Sequence, residues 1–163
     1  MTLLGKSLRM LVGKRPPALQ VGALCLRPRD GKVLMITSRG TGRWIIPKGW
    51  PMPGHSLAGA AGREAWEEAG AEGRTGHREL GRYIYDKVQD SGFAVPVEVH
   101  VFPLHVDRLS DVYPESGQRH REWFAPGRAA QLVAEPGLAA ILRGLGAGAD
   151  VKTDTVLRPR GSR

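Results

Sequence analysis

Residues 49–71 read GWPMPGHSLAGAAGREAWEEAGA, and this stretch carries more information about the fold than any other part of the 163-residue chain. Ser56 is a typical helix N-cap residue, and Gly70 is typical of the position just past the end of a helix. The Ala- and Glu-rich segment between them therefore predicts a helix over 57–69.

Three glutamates share one face of this helix, because Glu64, Glu67 and Glu68 are spaced i, i+3 and i+4. Carboxylates at these spacings repel one another by roughly a few tenths of a kcal/mol per pair. A divalent cation such as Mg²⁺ or Mn²⁺ relieves the repulsion, because carboxylate oxygens are hard ligands. The residue pattern alone leaves a second interpretation open, in which this is a solvated acidic face loosely paired with Arg63 and Arg74.

The spacing around the glutamates resembles the Nudix box, Gly-x5-Glu-x7-Arg-Glu-U-x-Glu-Glu-x-Gly-U, where U is an aliphatic residue. Six of the seven fixed positions are matched across 23 residues, and alanine fills the aliphatic positions. The matching residues are Gly49, Arg63, Glu64, Ala65, Glu67, Glu68, Gly70 and Ala71. His55 stands where the first glutamate is expected.

Two further segments extend the resemblance. Residues 44–49 (WIIPKG) look like the strand and loop that lead into the box in many family members. Residues 121–124 (REWF) resemble a segment of the branch that hydrolyses diphosphoinositol polyphosphates and diadenosine polyphosphates. The resemblance implies an α+β fold of the Nudix type, an α/β/α sandwich in which a mixed β-sheet is flanked by helices and the box forms a loop and helix at about 49–71.

The resemblance also implies a reaction, the metal-dependent hydrolysis of a pyrophosphate bond by attack of water on phosphorus. The implied substrate is a dinucleoside polyphosphate, a diphosphoinositol polyphosphate or another nucleoside diphosphate derivative. The expected metal is Mg²⁺, with Mn²⁺ also possible. The implied roles are metal binding by the three box glutamates and their orientation by the preceding arginine: Glu64, Glu67, Glu68 and Arg63. The carbonyl of Gly49 or Lys48 is a plausible further ligand.

The general base is expected to be a carboxylate, either Glu64 itself or one from a mobile loop. Glu115 is the favoured loop residue, because it lies in the polar stretch 111–117 between predicted strands. Asp111 is the second candidate and Glu98 the third.

Basic residues flank the predicted metal loop, and the expected substrate-binding set is Arg39, Arg43, Lys48, Arg119 and Arg121, with His120 beside them. Arginine forks match phosphate oxygens, so this set favours a small substrate with several phosphates, a dinucleoside or diphosphoinositol polyphosphate, over a lightly charged sugar nucleotide. Trp44, Trp50 and Tyr83 are candidates for stacking on a base.

His55 supports an alternative function. The glutamate that the family carries there often supports the arginine and the metal cluster, so its replacement could leave a catalytically weakened binding or regulatory module.

The rest of the chain is expected to form three segments: a basic N-terminal arm over 1–17, the Nudix-like domain over 18–146 and a flexible tail over 147–163. Apolar runs predict strands over 18–26, 32–37, 44–46, 77–88, 93–106 and 118–124, and helices over 129–134 and 137–145. Alternating valines in the fifth strand predict that it is half-buried.

Composition excludes several classes of function. Of the net charge of +8, the arm carries +4 and the tail +2, so basicity does not indicate a specific nucleic-acid partner. Cys25 is the single cysteine, which excludes an intramolecular disulfide and a cysteine metal cluster. The chain contains no apolar run of about 18 residues, so no membrane span is expected. A cytoplasmic monomer or homodimer is the expectation.

Overall fold

A mixed β-sheet with helices on both faces forms the described part of the chain, residues 16–146 of the computed structural model. The strands are β1 (Ala18–Leu26), β2 (Val33–Thr37), β3 (Trp44–Ile45), β4 (Lys48–Gly49), β5 (Ala71–Thr75), β6 (Gly81–Val88), β7 (Ala94–Leu109) and β8 (Arg121–Phe124). The helices are α1 (Leu57–Ala69), α2 (Pro126–Leu132) and α3 (Pro136–Gly146). The predicted tail and all of the predicted arm except Pro16 and Pro17 lie outside the described residues.

Strand order confirms the predicted mixed sheet. The strands follow the order β3-β2-β1-β7-β5, while β4 also pairs with β1, β6 with β7 and β8 with β2. β1 and β7 are parallel, and the other pairs are antiparallel. The β1–β2 hairpin turns at Gly31, whose φ of 70° favours glycine.

Helix α1 has the predicted bounds and caps. The Ser56 hydroxyl accepts a hydrogen bond from the Gly59 N–H at 3.0 Å, and the Gly70 N–H donates to the Trp66 carbonyl at 2.9 Å with φ of 65°. Gly62 allows the helix to lie close to β5, because a Cβ there would meet Thr75 Oγ1 at 2.6 Å. This close contact fixes the distance between α1, with its glutamates, and the sheet.

The prediction that the strand over 93–106 is half-buried is wrong for the central residues of β7, because both faces of this strand are covered. Val97, Val99 and Val101 pack in the cluster under α2 and α3. Phe102 and Leu104 pack on the other face, in the cluster under α1. Both faces are covered by helices, so the middle of the strand is buried on both sides.

Three other expectations need correction. Residues 71–75 (AEGRT) form β5, which was not predicted because the segment is short and polar without alternation. Residues 48–49 form the short strand β4 instead of part of a loop. Helix α2 begins at Pro126, earlier than predicted, since proline is well placed in a first helical turn.

The three helices of residues 16–146 include none with both the length and the apolar character needed to cross a bilayer.

Candidate active site

The strand β4 brings the chain directly over the carboxyl group of Glu64. Lys48 and Gly49 pair with Gly22 and Val21 of β1, and this pairing fixes the height of the loop above α1. A Cβ at Gly49 would lie 2.2 Å from the Glu64 carboxyl carbon. Any residue other than glycine would push this carboxyl group away, so Gly49 is needed for the close approach of backbone and carboxylate.

Glu64 lies in a cluster of like charges. Glu64 is only 8% exposed, and its pKa shift has burial and neighbouring charges as causes, with no hydrogen bond from residues 16–146 among them. Burial and, in decreasing order of importance, the carboxylates of Glu68, Glu67 and Glu115 together raise the pKa of Glu64 to about 7. The site therefore concentrates negative charge at the point where the β4 backbone arrives.

Glu68 is held by two donors. Its Oε2 accepts the Lys48 N–H at 3.2 Å, and its Oε1 accepts from Arg119 Nη2 at 3.2 Å. Burial raises the pKa of Glu68, while the charges of Arg119 and Lys48 oppose that rise. The Arg119 side chain is 7% exposed and also donates to the Thr37 carbonyl at 3.1 Å. Arg119 thus lies behind Glu68 and fixes its orientation.

Glu67 is paired along the helix. Arg63 Nε donates to Glu67 Oε1 at 2.7 Å, so the arginine of the box contacts one of the glutamates that the sequence assigned to the metal. The Glu67 backbone carbonyl accepts the Glu115 N–H at 3.0 Å. This bond ties the loop that follows β7 to α1.

Of the three candidate loop carboxylates, the structure brings Glu115 to the cluster. Glu115 Oε1 lies 3.4 Å from Arg119 Nη2 and 3.5 Å from Arg39 Nη1. The Asp111 side chain is 98% exposed and pairs with Arg121. Glu98 lies on β7, where its Oε1 is 3.0 Å from His100 Nε2. It is not among the charges that raise the pKa of Glu64.

Four of the five predicted substrate-binding cations, the arginines, already contact acids in the protein. Their partners are Glu115 for Arg39, Glu135 for Arg43 at 3.7 Å, Glu68 for Arg119, and Asp111 for Arg121 at 3.0 Å. Lys48 Nζ lies 5.1 Å from the centre of the Tyr85 ring, and burial lowers the pKa of Lys48. The set surrounds the cluster, but its charge is largely balanced within the protein.

Arg121 has a different environment from the other predicted cations. Its Nη1 donates to the carbonyls of Ala69 and Ser110 at 2.8 and 2.7 Å. Its guanidinium also lies 5.0 Å from the centre of the Tyr113 ring. These contacts join the end of α1 to the loop over 110–120, so Arg121 holds the loop that carries Glu115.

The three candidate stacking residues differ in accessibility. Trp44 packs edge-on against Phe124 with ring centres 5.0 Å apart, and Tyr83 is buried in the core. Trp50 is 48% exposed and lines a cleft beside Lys87 and Val88.

Sequence reasoning missed Glu135. This residue is 8% exposed and lies immediately before α3. An acid before a helix-starting proline is typical of an ordinary helix start, so the sequence offered no signal that it belongs near the site.

The residues fit a hard divalent cation, although residues 16–146 hold no group of three His, Cys, Asp or Glu side chains already arranged as a metal cage. Mg²⁺ needs only one or two protein carboxylates, because waters and substrate phosphates complete its shell. Glu64 supplies a carboxylate without a hydrogen-bond donor, in a field of three others. His55 is exposed and its Nδ1 contacts the Pro53 carbonyl at 3.3 Å, so it is not one of the converging groups.

Comparisons with known proteins find a matching family and several relatives. The family model described as the NUDIX domain matches residues 16–145 of this chain. Diphosphoinositol polyphosphate phosphohydrolase 3-alpha of Mus musculus is 38% identical over 109 residues, which are 64% of this chain and 62% of that protein. Nudix hydrolase 21, chloroplastic, of Arabidopsis thaliana is 32% identical over 102 residues, 62% of this chain and 50% of that protein. The alignments thus span about three fifths or less of these relatives' lengths.

Solved structures support the same fold. An Ap4A hydrolase of C. elegans has a TM-score of 0.57 at 20% identity, covering 81% of this chain and 98% of that one. A MutT protein of Methanosarcina mazei Go1 has a TM-score of 0.59 at 20% identity, covering 83% of this chain and 97% of that one.

Proposed function

The chain belongs to the NUDIX domain family, and from this membership we propose that it hydrolyses a pyrophosphate bond in a small polyanionic substrate with the help of a divalent metal ion. One observation carries the proposal: the Glu64 carboxyl group lies against the backbone of Gly49, Glu68 accepts the Lys48 N–H beside it, and the charges of Glu68, Glu67 and Glu115 all act on Glu64. Such a concentration of carboxylates is unfavourable on its own and becomes favourable when a cation binds.

Metal binding is assigned to Glu64, Glu67 and Glu68, with the carbonyl of Gly49 or Lys48 as a further ligand. Bound Mg²⁺, or Mn²⁺ in its place, neutralises pyrophosphate charge and lowers the pKa of a water molecule. Arg119 and the Lys48 N–H orient Glu68, and Arg63 orients Glu67, so the chain itself fixes the directions of these carboxylates.

In the reaction, the water oxygen forms a bond to phosphorus as the bridging P–O bond breaks, and a carboxylate takes the water's proton. We assign that proton to Glu64, because its pKa, raised to about 7, suits a proton acceptor near neutral pH. Glu115 is held by Arg39 and Arg119, and this pairing suits a residue that positions the loop. Comparing Glu64→Gln with Glu115→Gln at saturating Mg²⁺ separates the roles, because loss of the base removes the rise of kcat with pH, whereas weaker metal binding is offset by the added metal.

The proposed substrates are dinucleoside polyphosphates and diphosphoinositol polyphosphates. The names of the relatives and of the similar solved structures support these two classes. Arg39 and Arg43 lie between β2 and β3, and Lys48 lies on β4; these three cations would meet the outer phosphates.

The test is release of phosphate from a panel of both substrate classes, ADP-ribose and capped RNA, with Mg²⁺ or Mn²⁺. We expect turnover by the wild type and losses of at least about 100-fold in Glu67→Gln and Glu68→Gln. Glu122→Gln is the matched control, because Glu122 is an exposed acid on β8. Equal rates in the wild type and both glutamine variants would overturn the proposal. Reaction in ¹⁸O-labelled water identifies the phosphorus that is attacked.

The alternative is a Nudix-type module that binds such ligands without hydrolysing them, because His55 replaces a box glutamate. Metal-dependent binding of panel compounds without turnover would support this alternative.

A further inference from the structure

Large apolar side chains lie exposed around the tip of the β6–β7 hairpin. Trp50, Val88 and Phe93 are 48%, 69% and 76% exposed, and we call these three the apolar patch. A cleft of about 490 Å³ runs through the patch, and its apolar lining is Trp50, Val88, Val95 and Val97. Phe93 lies in the hairpin turn, where its carbonyl accepts the N–H of Gln89, another residue of the cleft, at 2.9 Å. Exposed apolar surface that shares one cleft typically marks a place where another segment packs.

This cleft, the Trp50 cleft, lies across the start of β1. Val21 of β1 pairs with Gly49 of β4 on one edge and with His100 of β7 on the other. Trp50 comes directly after β4, and the two lining valines belong to β7. The cleft is therefore lined from both sides of β1.

The chain enters β1 at the Trp50 cleft. β1 and β7 are parallel with Ala18 opposite Val97, and the same register would place Pro16 beside Val95. Proline has no N–H with which to extend the pairing, so the sheet does not continue along this edge of β7. The chain that precedes Pro16 therefore starts at the cleft.

Residues 1–15, which lie outside the described residues, have a composition that matches the patch. Their apolar side chains are Met1, Leu3, Leu4, Leu8, Met10, Leu11 and Val12, and their charged side chains are Lys6, Arg9, Lys14 and Arg15. Asp86 and Asp90 are exposed acids on the hairpin, and Asp90 lines the cleft together with Lys87. The apolar centre and the excess of acids around it complement an apolar segment that carries only positive charge.

The C-terminal residues 147–163 are a poorer match. Helix α3 ends at Gly146, where an added Cβ would lie 3.9 Å from the backbone of α2. α2 follows β8, whose Phe124 pairs with Val33, and Val33 pairs with Leu26 at the far end of β1. This segment therefore starts at the opposite end of β1 from the Trp50 cleft, and it also carries two acids.

We propose that residues 1–15 dock on the Trp50 cleft, with their apolar side chains over the patch and their basic side chains towards the two acids of the hairpin. A polyphosphate does not fit the patch, because apolar side chains offer phosphate oxygens no hydrogen bond. The docked segment borders the candidate active site, since the charge of Lys87 in the cleft acts on Lys48.

The test follows Trp50 in the full chain by ¹⁹F NMR after labelling with 5-fluorotryptophan. Trp50→Phe identifies its resonance. A nitroxide spin label is attached through Ser7→Cys, and Cys25 stays unlabelled because it is fully buried. The matched control carries the same label through Ser162→Cys, in the other terminal segment.

We expect the label at position 7 to remove most of the intensity of the Trp50 resonance, relative to the chemically reduced label. Trp123 is the internal reference and is expected to keep its intensity, because it lies beside Arg27, just past the other end of β1. The label at position 162 is expected to leave Trp50 unchanged.

Two variants of the hairpin separate docking on the cleft from mere proximity. Val88→Lys places a charge in the patch that repels the basic segment, so it is expected to restore most of the Trp50 intensity. Ile84→Lys is the matched control, since Ile84 is a 56% exposed residue of the same strand that does not line the cleft, and the loss is expected to persist. An unchanged Trp123 shift shows that each variant is folded.

Four results would overturn the proposal. The first is full Trp50 intensity with the label at position 7, and the second is a loss that survives Val88→Lys. An equal loss with the label at position 162 would assign the cleft to the other terminal segment. The same loss in a mixture of spin-labelled chains without fluorine and fluorinated chains without spin label would assign the cleft to a second copy of the chain.

Discussion

Replacing Glu64 with glutamine is expected to stabilise the metal-free protein at pH 8. Burial and the neighbouring carboxylates raise the pKa of Glu64 from 4.5 to about 7. At about 1.36 kcal/mol per pKa unit, ionising this group in the folded state costs at most about 3 kcal/mol. Because Glu67 and Glu115 are partly exposed and their repulsion is screened, we expect a gain of about 1–2 kcal/mol in the free energy of unfolding.

The sign of the pH dependence follows from the direction of the shift. A carboxyl group whose pKa is higher in the folded state than in the unfolded state binds its proton more tightly when folded. The wild type therefore loses stability as the pH rises from about 4.5 through about 7, and the loss is complete above that range. Glutamine does not titrate, so its advantage at pH 8 is expected to shrink about threefold or more at pH 5.

Urea unfolding followed by tryptophan fluorescence in EDTA measures this difference at both pH values. Saturating Mg²⁺ is expected to reverse the order, because the wild type then gains a ligand that the variant lacks. Glu122→Gln, the exposed control, is expected to change stability by less than about 0.5 kcal/mol. A variant that is no more stable than the wild type at pH 8, or equally stabilised at pH 5, would refute the electrostatic account of the cluster.

Three further substitutions test the surroundings of the cluster. Arg119→Met is expected to lower the free energy of unfolding by about 3 kcal/mol, because it leaves the buried Glu68 without its charged partner. Thermal unfolding measures this loss, with substitution of the exposed Arg128 by Met as the control. Equal melting temperatures for the two variants would contradict the assigned burial. Gly49→Ala is expected to weaken Mg²⁺ binding at least about tenfold, since its Cβ would collide with the Glu64 carboxyl group. Calorimetric titration measures the affinity, and Gly40→Ala is the control because a Cβ at Gly40 has no atom of the described residues within 4 Å. His55→Glu is expected to change kcat/KM in steady-state assays by less than about threefold, because His55 is exposed and lies apart from the carboxylates near Glu64. A rise of 100-fold or more over the wild type would instead show that this position acts on the metal.

Much of the architecture was predictable because its signals are local. The Ser56 cap, the Gly70 stop and the glutamate spacing lie within one short stretch, and α1 has the predicted bounds. The strand β5 was not predictable in this way. Its polar sequence is a strand only because β7 pairs with it, with Gly73 so close that a Cβ would meet the His105 carbonyl oxygen.

The candidate site likewise combines features that follow from the local sequence with pairings that only folding decides. The spacing predicted that Glu64, Glu67 and Glu68 share a face, and this follows from helix geometry alone. The sequence also predicted a set of phosphate-binding cations, and the structure shows that Arg39 and Arg119 of this set contact acids within the protein. Arg39 and Glu115 are far apart in the chain, and nothing in the composition indicates that they meet.

The sequence by itself determined the helix, its caps and the carboxylate face, because those depend on residues within a few positions of one another. The tertiary structure decided how close the β4 backbone comes to Glu64 and which acids neutralise which cations. It also decided that Glu135, an acid just before α3, lies buried 3.7 Å from Arg43, with no hydrogen bond to its Oε2 from residues 16–146. These features depend on side chains that only folding brings together, where burial and the charge of distant residues control the chemistry.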